Sequence, residues 1–284
     1  MPPDDRARTL REALVDDLLR RDILRSPRVA EALRAVPRHP FAPWLSLEEA
    51  YADRAWPIPG TAPEAPATLS QPTAVALMLE GFDLAPGGRV LEIGAGTGYH
   101  AALMAHLVGP AGHVVTVDIE ARLAEAARER LRFYRNVEVV HGDGAYGYAA
   151  LAPYDRIVAT VGAWDLPPAW REQLAPGGRL VVPLHLAGEA QGHELVSFRR
   201  EGPLLVGAAL CSLGMVLMRG DHAGHGKAAA TQSGPDWKGA PVPGLRVTAY
   251  PRGVPHELRP HEKVIEKPSV RLVLAAPRPG EAQS

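Results

Sequence analysis

The residues best suited to chemistry lie in four short stretches. Glu92-Ile93-Gly94-Ala95-Gly96-Thr97-Gly98 continues an apolar strand-like run, Arg89 to Ile93, and leads into a helical run from Tyr99. Glycines at alternate positions let the backbone turn tightly and let a ligand approach the main chain where a side chain would obstruct it. Asp118, with Ile119 beside it, closes the next strand-like run, twenty residues past Gly98. A carboxylate there can accept hydrogen bonds from both hydroxyls of a ribose. His141-Gly142-Asp143-Gly144 follows a third such run. Asp143 would sit at the same rim, within reach of an adenine amino group, while Gly142 and Gly144 keep the path open. By itself a Gly-Asp-Gly is a common turn; its place at the end of a strand makes it a cofactor contact. The fourth stretch, Thr68-Leu69-Ser70-Gln71-Pro72, presents a hydroxyl just ahead of a helix.

The glycine pattern narrows the ligand. A nicotinamide fingerprint has the order G-x-G-x-x-G, whereas position 99 is Tyr. The spacing is instead E-x-G-x-G-x-G, the nucleoside-binding turn of methyltransferases that use S-adenosylmethionine. That cofactor carries no pyrophosphate, so no glycine has to be aimed at one.

The elements that must position these groups alternate. Strands are expected at 89–93, 113–118, 137–140, 154–160 and 178–183, with helices at 74–80, 99–107, 121–133 and 168–174. Such alternation predicts a parallel sheet with helices on its faces, and ligands bind at the carboxyl ends of the strands. Ahead of it, Leu10, Leu14 and Leu18 recur at helical spacing, and Ser26-Pro27 starts a second helix, so two helices would cover the sheet. Residues 194–218 read as antiparallel strands, 221–244 as a loop or linker rich in small residues and proline, and 245–250 and 269–275 as two further strands. The expected division is therefore 1–72 as helical cover and substrate loop, 73–220 as the catalytic α/β domain, and 221–284 as linker and small β extension.

Composition excludes several classes. The 284 residues hold 31 Lys+Arg against 32 Asp+Glu, a formal charge of -1, which argues against nucleic-acid binding by bulk charge. A hydrophobic fraction of 46% excludes disorder over most of the length. The single cysteine, Cys211, has no internal partner, and MPPDDRARTL lacks the apolar stretch of a signal peptide, so a cytoplasmic protein is expected. No uninterrupted apolar run reaches the length of about 18 residues that a membrane span needs.

Over residues 9–220 the chain resembles the protein-L-isoaspartate (D-aspartate) O-methyltransferases. The resemblance rests on Val36-Pro37-Arg38 with Phe41-Ala42-Pro43, on Ala50-Tyr51-Ala52-Asp53-Arg54-Ala55 with Pro57-Ile58, and on Thr68-Leu69-Ser70-Gln71-Pro72. It continues through Val90 to Gly98, Gly142-Asp143-Gly144, Ala152-Pro153-Tyr154-Asp155-Arg156-Ile157, and Gln173 to Pro183. The T-[IL]-S-x-P element is the most specific of these. The resemblance implies a Rossmann-like methyltransferase sheet and methyl transfer from S-adenosylmethionine to an isoaspartyl carboxylate, giving an ester that collapses to a succinimide. It also implies that Ser70 lies near the reacting carboxylate; capping of the helix that starts near Pro72 is a second role open to Ser70. A carboxylate is already ionised at pH 7, so no strong general base is required.

On this reading Ser70 is catalytic. The cofactor contacts are Glu92, Gly94, Ala95, Gly96, Thr97, Gly98, Asp118, Ile119, Gly142, Asp143 and Gly144, and Thr68, Leu69, Ser70, Gln71, Trp164 and Asp165 meet the substrate. Three departures from the family bear on that substrate. Pro59 to Ala67 is longer and proline-stiffened, Trp164-Asp165 replaces small residues after the fourth strand and would stand at the mouth of the site, and residues 221–284 extend past the usual end. These features resemble the branch associated with lanthipeptide-type ribosomal peptides, where an ordinary aspartate in a dedicated precursor peptide is methylated and can close to an aspartimide. Asp221, His222 and His225 lack a further ligand, so no metal is expected; His256 and His261 read as surface, and the mildly basic tail as a solvated face. The expected partner is a protein or peptide substrate, with no nucleic acid or membrane, for a monomer or homodimer. A catalytically silent cofactor-binding scaffold and a small-molecule carboxyl methyltransferase are the alternatives.

Overall fold

The computed structural model describes residues 3–62, 66–186, 193–220, 245–254 and 263–275. The chain divides into two compact units, Met1–Gly142 and Asp143–Ser284, each taken by itself below.

The first unit opens with helices α1 (Pro3–Arg20) and α2 (Pro27–Ala35). α2 starts as its sequence predicts, with Ser26 accepting from the Val29 amide and Pro27 in the first turn. Its Val29, Ala30, Ala32 and Leu33 are buried. A third helix, α3 (Leu47–Tyr51), was not expected from the sequence. Ser46 and Glu49 close a capping box around it, which makes five residues helical despite their shortness. Next come the paired two-residue strands β1 (Trp56–Pro57) and β2 (Thr68–Leu69), joined antiparallel with Trp56 opposite Leu69.

α4 (Pro72–Phe82) then leads to β3 (Arg89–Ile93), α5 (Tyr99–Val108), β4 (His113–Asp118), α6 (Ala121–Leu131) and β5 (Val137–His141). β3, β4 and β5 are parallel neighbours, with β4 in the middle. Val90, Leu91, Val114 and Val115 are fully buried, as strands covered on both faces require. α2 packs against α4 and α5, so the N-terminal helices do cover the strand–helix layer.

The second unit holds β6 (Tyr154–Ala159), α7 (Pro168–Gln173), β7 (Leu174–Leu184), β8 (His193–Glu201), β9 (Leu204–Leu213), β10 (Arg246–Pro251), β11 (Lys263–Glu266) and β12 (Val270–Ala275). β6 and β7 are parallel, and every later pairing is antiparallel, in the order β7-β8-β9-β10-β12-β11. The strands expected at 245–250 and 269–275 thus continue the sheet of β8 and β9. β7 starts four residues earlier than its apolar run suggests, and β11 had no periodic signal of its own. Buried Trp170 donates from Nε1 to the Gly144 carbonyl at 2.8 Å, and Gln173 bonds both Tyr146 O and Tyr148 N, so α7 holds the segment that follows Asp143.

No helix among the described residues is long and apolar enough to cross a membrane. Asp221, His222, His225, His256, His261 and the whole 221–244 linker fall outside the described residues, as do Pro63, Glu64 and Ala65 of the proline-stiffened loop.

Candidate active site

In the first unit the glycine turn sits between β3 and α5. Gly94, Gly96 and Gly98 have φ of 102°, 52° and 88°, a region that glycine enters without steric cost. The Gly94 and Ala95 amides donate to the Val117 carbonyl at 2.8 and 3.2 Å, and the Gly98 amide closes the turn on Ala95 O at 2.8 Å. Thr97 is buried, and its Oγ1 accepts from the Tyr99 amide at 3.4 Å.

Asp118 is the hub of this arrangement. Its Oδ2 accepts from the Gly96 amide at 2.9 Å and its Oδ1 from the Glu120 amide at 3.0 Å, while its carbonyl accepts from the Gly142 amide at 2.9 Å. Residues far apart in the chain, Gly94 to Gly98, Asp118 with half-buried Ile119, and Gly142, therefore meet at one end of β3, β4 and β5. In the second unit Asp143 caps the short turn at Gly144–Tyr146 through Oδ1 and the Ala145 amide at 2.8 Å, and the Gly220 backbone abuts its carboxylate.

Glu92 lies beneath the turn and is fully buried. Thr116 Oγ1 donates to its Oε2 at 2.6 Å, Oε1 has no partner among the described residues, and burial pushes the carboxyl up to about 8. His100 Nδ1 lies 3.9 Å from that free oxygen, and burial drives this imidazole down to about 3. The pair is therefore a neutral acid beside a neutral ring at pH 7.

These features fit a nucleoside cofactor. A Cβ added at Gly96 or Gly142 would meet nothing within 4 Å, so the backbone is open to a ligand at both places. A carboxylate oxygen has more than one acceptor site, so Asp118 can serve the turn and a ribose hydroxyl together. Glu92, in β3 just before the turn, keeps one carboxyl oxygen without a partner among the described residues.

The Ser70 region is built by two groups that the sequence left unassigned. Arg38 is 1% exposed; its Nε donates to the Ala50 carbonyl at 2.9 Å and its Nη2 to the Ser70 carbonyl at 2.6 Å, and its guanidinium lies 5.1 Å from the Tyr99 ring centroid. Burial lowers this guanidinium to about 10, against the opposing pull of Tyr99 and Asp53, and it is still charged at neutral pH. Asp53 takes the Thr73 amide and hydroxyl at 2.8 and 2.6 Å, together with Arg21 Nη1 at 2.7 Å. Asp53 thereby caps α4, whose N-cap position is Gln71 and carries no side-chain cap bond. The capping role open to Ser70 is thus filled by another residue, and the Ser70 hydroxyl makes no hydrogen bond among the described residues.

The other substrate-facing expectations fare differently. Gln71 Nε2 donates to the Asp53 carbonyl at 3.1 Å, and Leu69 is buried, so both hold the segment in place. Thr68 is half-buried beside Pro57. In the second unit Trp164 is half-buried, whereas Asp165 is 1% exposed and accepts from the Ser269 amide at 2.9 Å. Asp165 is therefore an interior group and does not stand at an open mouth. Among the described residues no cluster of three or more His, Cys, Asp or Glu could hold a metal ion.

Comparison with known proteins identifies the family and the fold. Residues 8–212 match the family described as protein-L-isoaspartate (D-aspartate) O-methyltransferase. The protein-L-isoaspartate O-methyltransferase of Methanopyrus kandleri is 47% identical over 188 residues, 65% of this chain and 81% of the relative. That of a Roseiflexus species is 42% identical over 215 residues, 75% of this chain and 93% of the relative. A solved structure titled protein-L-isoaspartate O-methyltransferase superposes with a TM-score of 0.69 at 26% identity, covering 95% of this chain and 88% of its own. That match runs beyond residue 212. A Plasmodium falciparum structure in complex with S-adenosyl-L-homocysteine shares the fold, with a TM-score of 0.63 at 21% identity over 74% of this chain and 98% of its own.

Proposed function

The chain belongs to the protein-L-isoaspartate (D-aspartate) O-methyltransferase family, and from that premise we propose that it is an S-adenosylmethionine-dependent carboxyl O-methyltransferase acting on an aspartyl or isoaspartyl carboxylate of a protein or peptide. The observation that supports this reading is the joining of the glycine turn to Asp118 through the Gly96 amide. S-adenosylmethionine supplies an electrophilic methyl group: a carboxylate oxygen bonds to the methyl carbon as the sulfur–carbon bond breaks, leaving a methyl ester and S-adenosylhomocysteine.

The chain's own residues supply binding and alignment. Gly94, Ala95, Gly96, Thr97 and Gly98 offer close backbone approach, and Asp118 with Ile119 would hold the ribose and one face of the base. Gly142, Asp143 and Gly144 would meet the adenine edge. Glu92 would accept a hydrogen bond from the cofactor's amino-acid end. The Ser70 hydroxyl would donate to the substrate carboxylate and aim one oxygen without neutralising it. Alignment of this kind supplies about 7–11 kcal/mol of a barrier, and no group has to remove a proton because the carboxylate is ionised. The ester can then close to a succinimide or aspartimide.

Tailoring of one dedicated ribosomal peptide is a second reading, favoured by Trp164, an aromatic ring in place of a small residue after β6. Single, buried Cys211 suits a cytoplasmic site of action, since an oxidising compartment favours paired cysteines.

Purified protein with S-adenosylmethionine and two peptides of one sequence, one bearing isoaspartate and one aspartate, followed by mass, tests both readings. One methyl gained and methanol later lost on the isoaspartyl peptide alone establishes repair-type specificity. Reaction with neither, while the cofactor binds, shifts the substrate to a dedicated constrained peptide. Absence of both cofactor binding and methyl transfer overturns the proposal.

A further inference from the structure

Five side chains gather at one end of the second unit, outside the machinery described above. Trp164 and His185 follow the carboxyl ends of the parallel strands β6 and β7, and the chain after β6 bridges to the end of β7 between Ala163 and Leu184. The carboxyl ends of parallel strands are where α/β sheets hold their ligands. The Trp164 and His185 rings stack with centroids 4.7 Å apart, and His185 meets His193 edge-on at 6.0 Å. Lys267 enters from the turn between β11 and β12, with Nζ 3.7 Å from the Trp164 ring centroid, and Ser269 in the same turn binds Asp165. The C-terminal strands thus deliver a cation to the loop that follows β6.

The cluster holds buried polar groups that the described residues leave without partners. Lys267 is 2% exposed, and no carboxylate among the described residues forms a salt bridge with it; Asp165 acts on it only at longer range. Among the described residues both ring nitrogens of His193, itself 6% exposed, lack a partner, as does Asp165 Oδ1. Burial lowers His193 to about 4, so the ring is neutral at pH 7 and has one N–H to give. The seat is shaped for this ring, because any Cβ at Gly162 would collide with it. A desolvated ammonium is costly unless an anion meets it, and buried donors without acceptors are rare. An incoming anionic acceptor therefore gains more here than at an ordinary surface lysine, and half-buried Trp164 and His185 form the rim by which it would enter.

We propose that Lys267, with Trp164 and His193, forms a substrate-recognition subsite that takes an acidic side chain of the peptide substrate. This rests on the peptide-methylating function proposed above and adds a preference to it: the substrate is an acidic peptide, read by the C-terminal strands.

The test uses the full chain loaded with S-adenosylhomocysteine and fluorescently labelled peptides that carry either Glu or Gln on both sides of the target aspartate or isoaspartate. Anisotropy should show the Glu peptide binding roughly tenfold more tightly than the Gln peptide, the lower end for a hydrogen bond to a charged group. Lys267→Met should abolish the preference and Lys267→Arg should keep it. Equal affinities for the unaltered chain overturn the subsite, and that comparison decides the matter even where Lys267→Met fails to fold. A preference that survives in folded Lys267→Met also overturns it. Methyl transfer is scored on the same peptides: Lys267-dependent binding without methylation of either peptide removes the proposed reaction and leaves the subsite standing.

Discussion

Arg38 holds Ser70 by its backbone: Nη2 donates to the Ser70 carbonyl at 2.6 Å, from a guanidinium that also meets the Ala50 carbonyl and the face of Tyr99. Tyr99 is the first residue of α5, directly after the glycine turn, so one buried cation ties the segment carrying the free hydroxyl to the helix that opens from the cofactor turn. Arg38→Met would leave two carbonyls without their donor, at about 1–3 kcal/mol each. Chemical denaturation should show a loss on that scale, and methyl transfer should fall as Ser70 loses its anchor. Arg38→Lys should recover only part of both, because an ammonium cannot reproduce the planar fork.

Ser70→Ala should lower turnover by on the order of 10- to 100-fold, the scale of one hydrogen bond to a charged group. S-adenosylhomocysteine binding, measured by calorimetry, should stay nearly unchanged, because the hydroxyl bonds nothing that holds the turn. Unchanged turnover would remove Ser70 from the mechanism.

Gly98→Ala should damage the turn twice over. The residue sits at φ 88°, and a Cβ there would come within 2.9 Å of Leu131 Cδ1 and 3.2 Å of its Cγ. Alanine at such a φ costs more than about 1 kcal/mol, and the contact adds to that. The melting temperature and the affinity for S-adenosylhomocysteine should both fall, and an unshifted melting temperature would contradict the strained turn.

Glu92 should give the stability a pH dependence. Its carboxyl is held up to about 8 by burial, above its unfolded value near 4.5. The folded chain therefore keeps a proton that the unfolded chain releases, and the resulting stabilisation is complete below the unfolded pKa and is lost as pH rises through about 8. Within that window the slope approaches about 1.4 kcal/mol per pH unit. Glu92→Gln removes the titration, so the variant should gain on the parent in thermal melts between pH 5 and pH 8. Parallel curves would show that Glu92 is ionised throughout.

Which parts of this were legible in the residues follows from how local each signal is. The strands at 89–93 and 113–118, the helix from Tyr99 and the cofactor turn rest on apolar periodicity and glycine spacing within a few positions, and such patterns act on the chain wherever it goes. α3 escaped notice because a five-residue helix has too few positions for a period and depends on its capping box. β11 went unseen for a similar reason, since four residues derive their strand character from pairing with β12.

What only the tertiary structure decided concerns side chains brought together from distant positions. The sequence by itself determined the α/β order, the turn joined to Asp118 and a serine ahead of α4. It did not determine that Asp53, and not Ser70, would cap α4, because a cap supplied from twenty residues away leaves no local pattern. Nor did it show Arg38 under Ser70 or Lys267 against Trp164. Asp165 offered the sharpest contrast: a charged residue after a strand reads as exposed, yet its carboxylate is buried on the Ser269 amide 104 residues along. A buried charge is tolerable only where a partner arrives, and which partner arrives is set by the pairing of β10, β11 and β12, which no window of sequence contains.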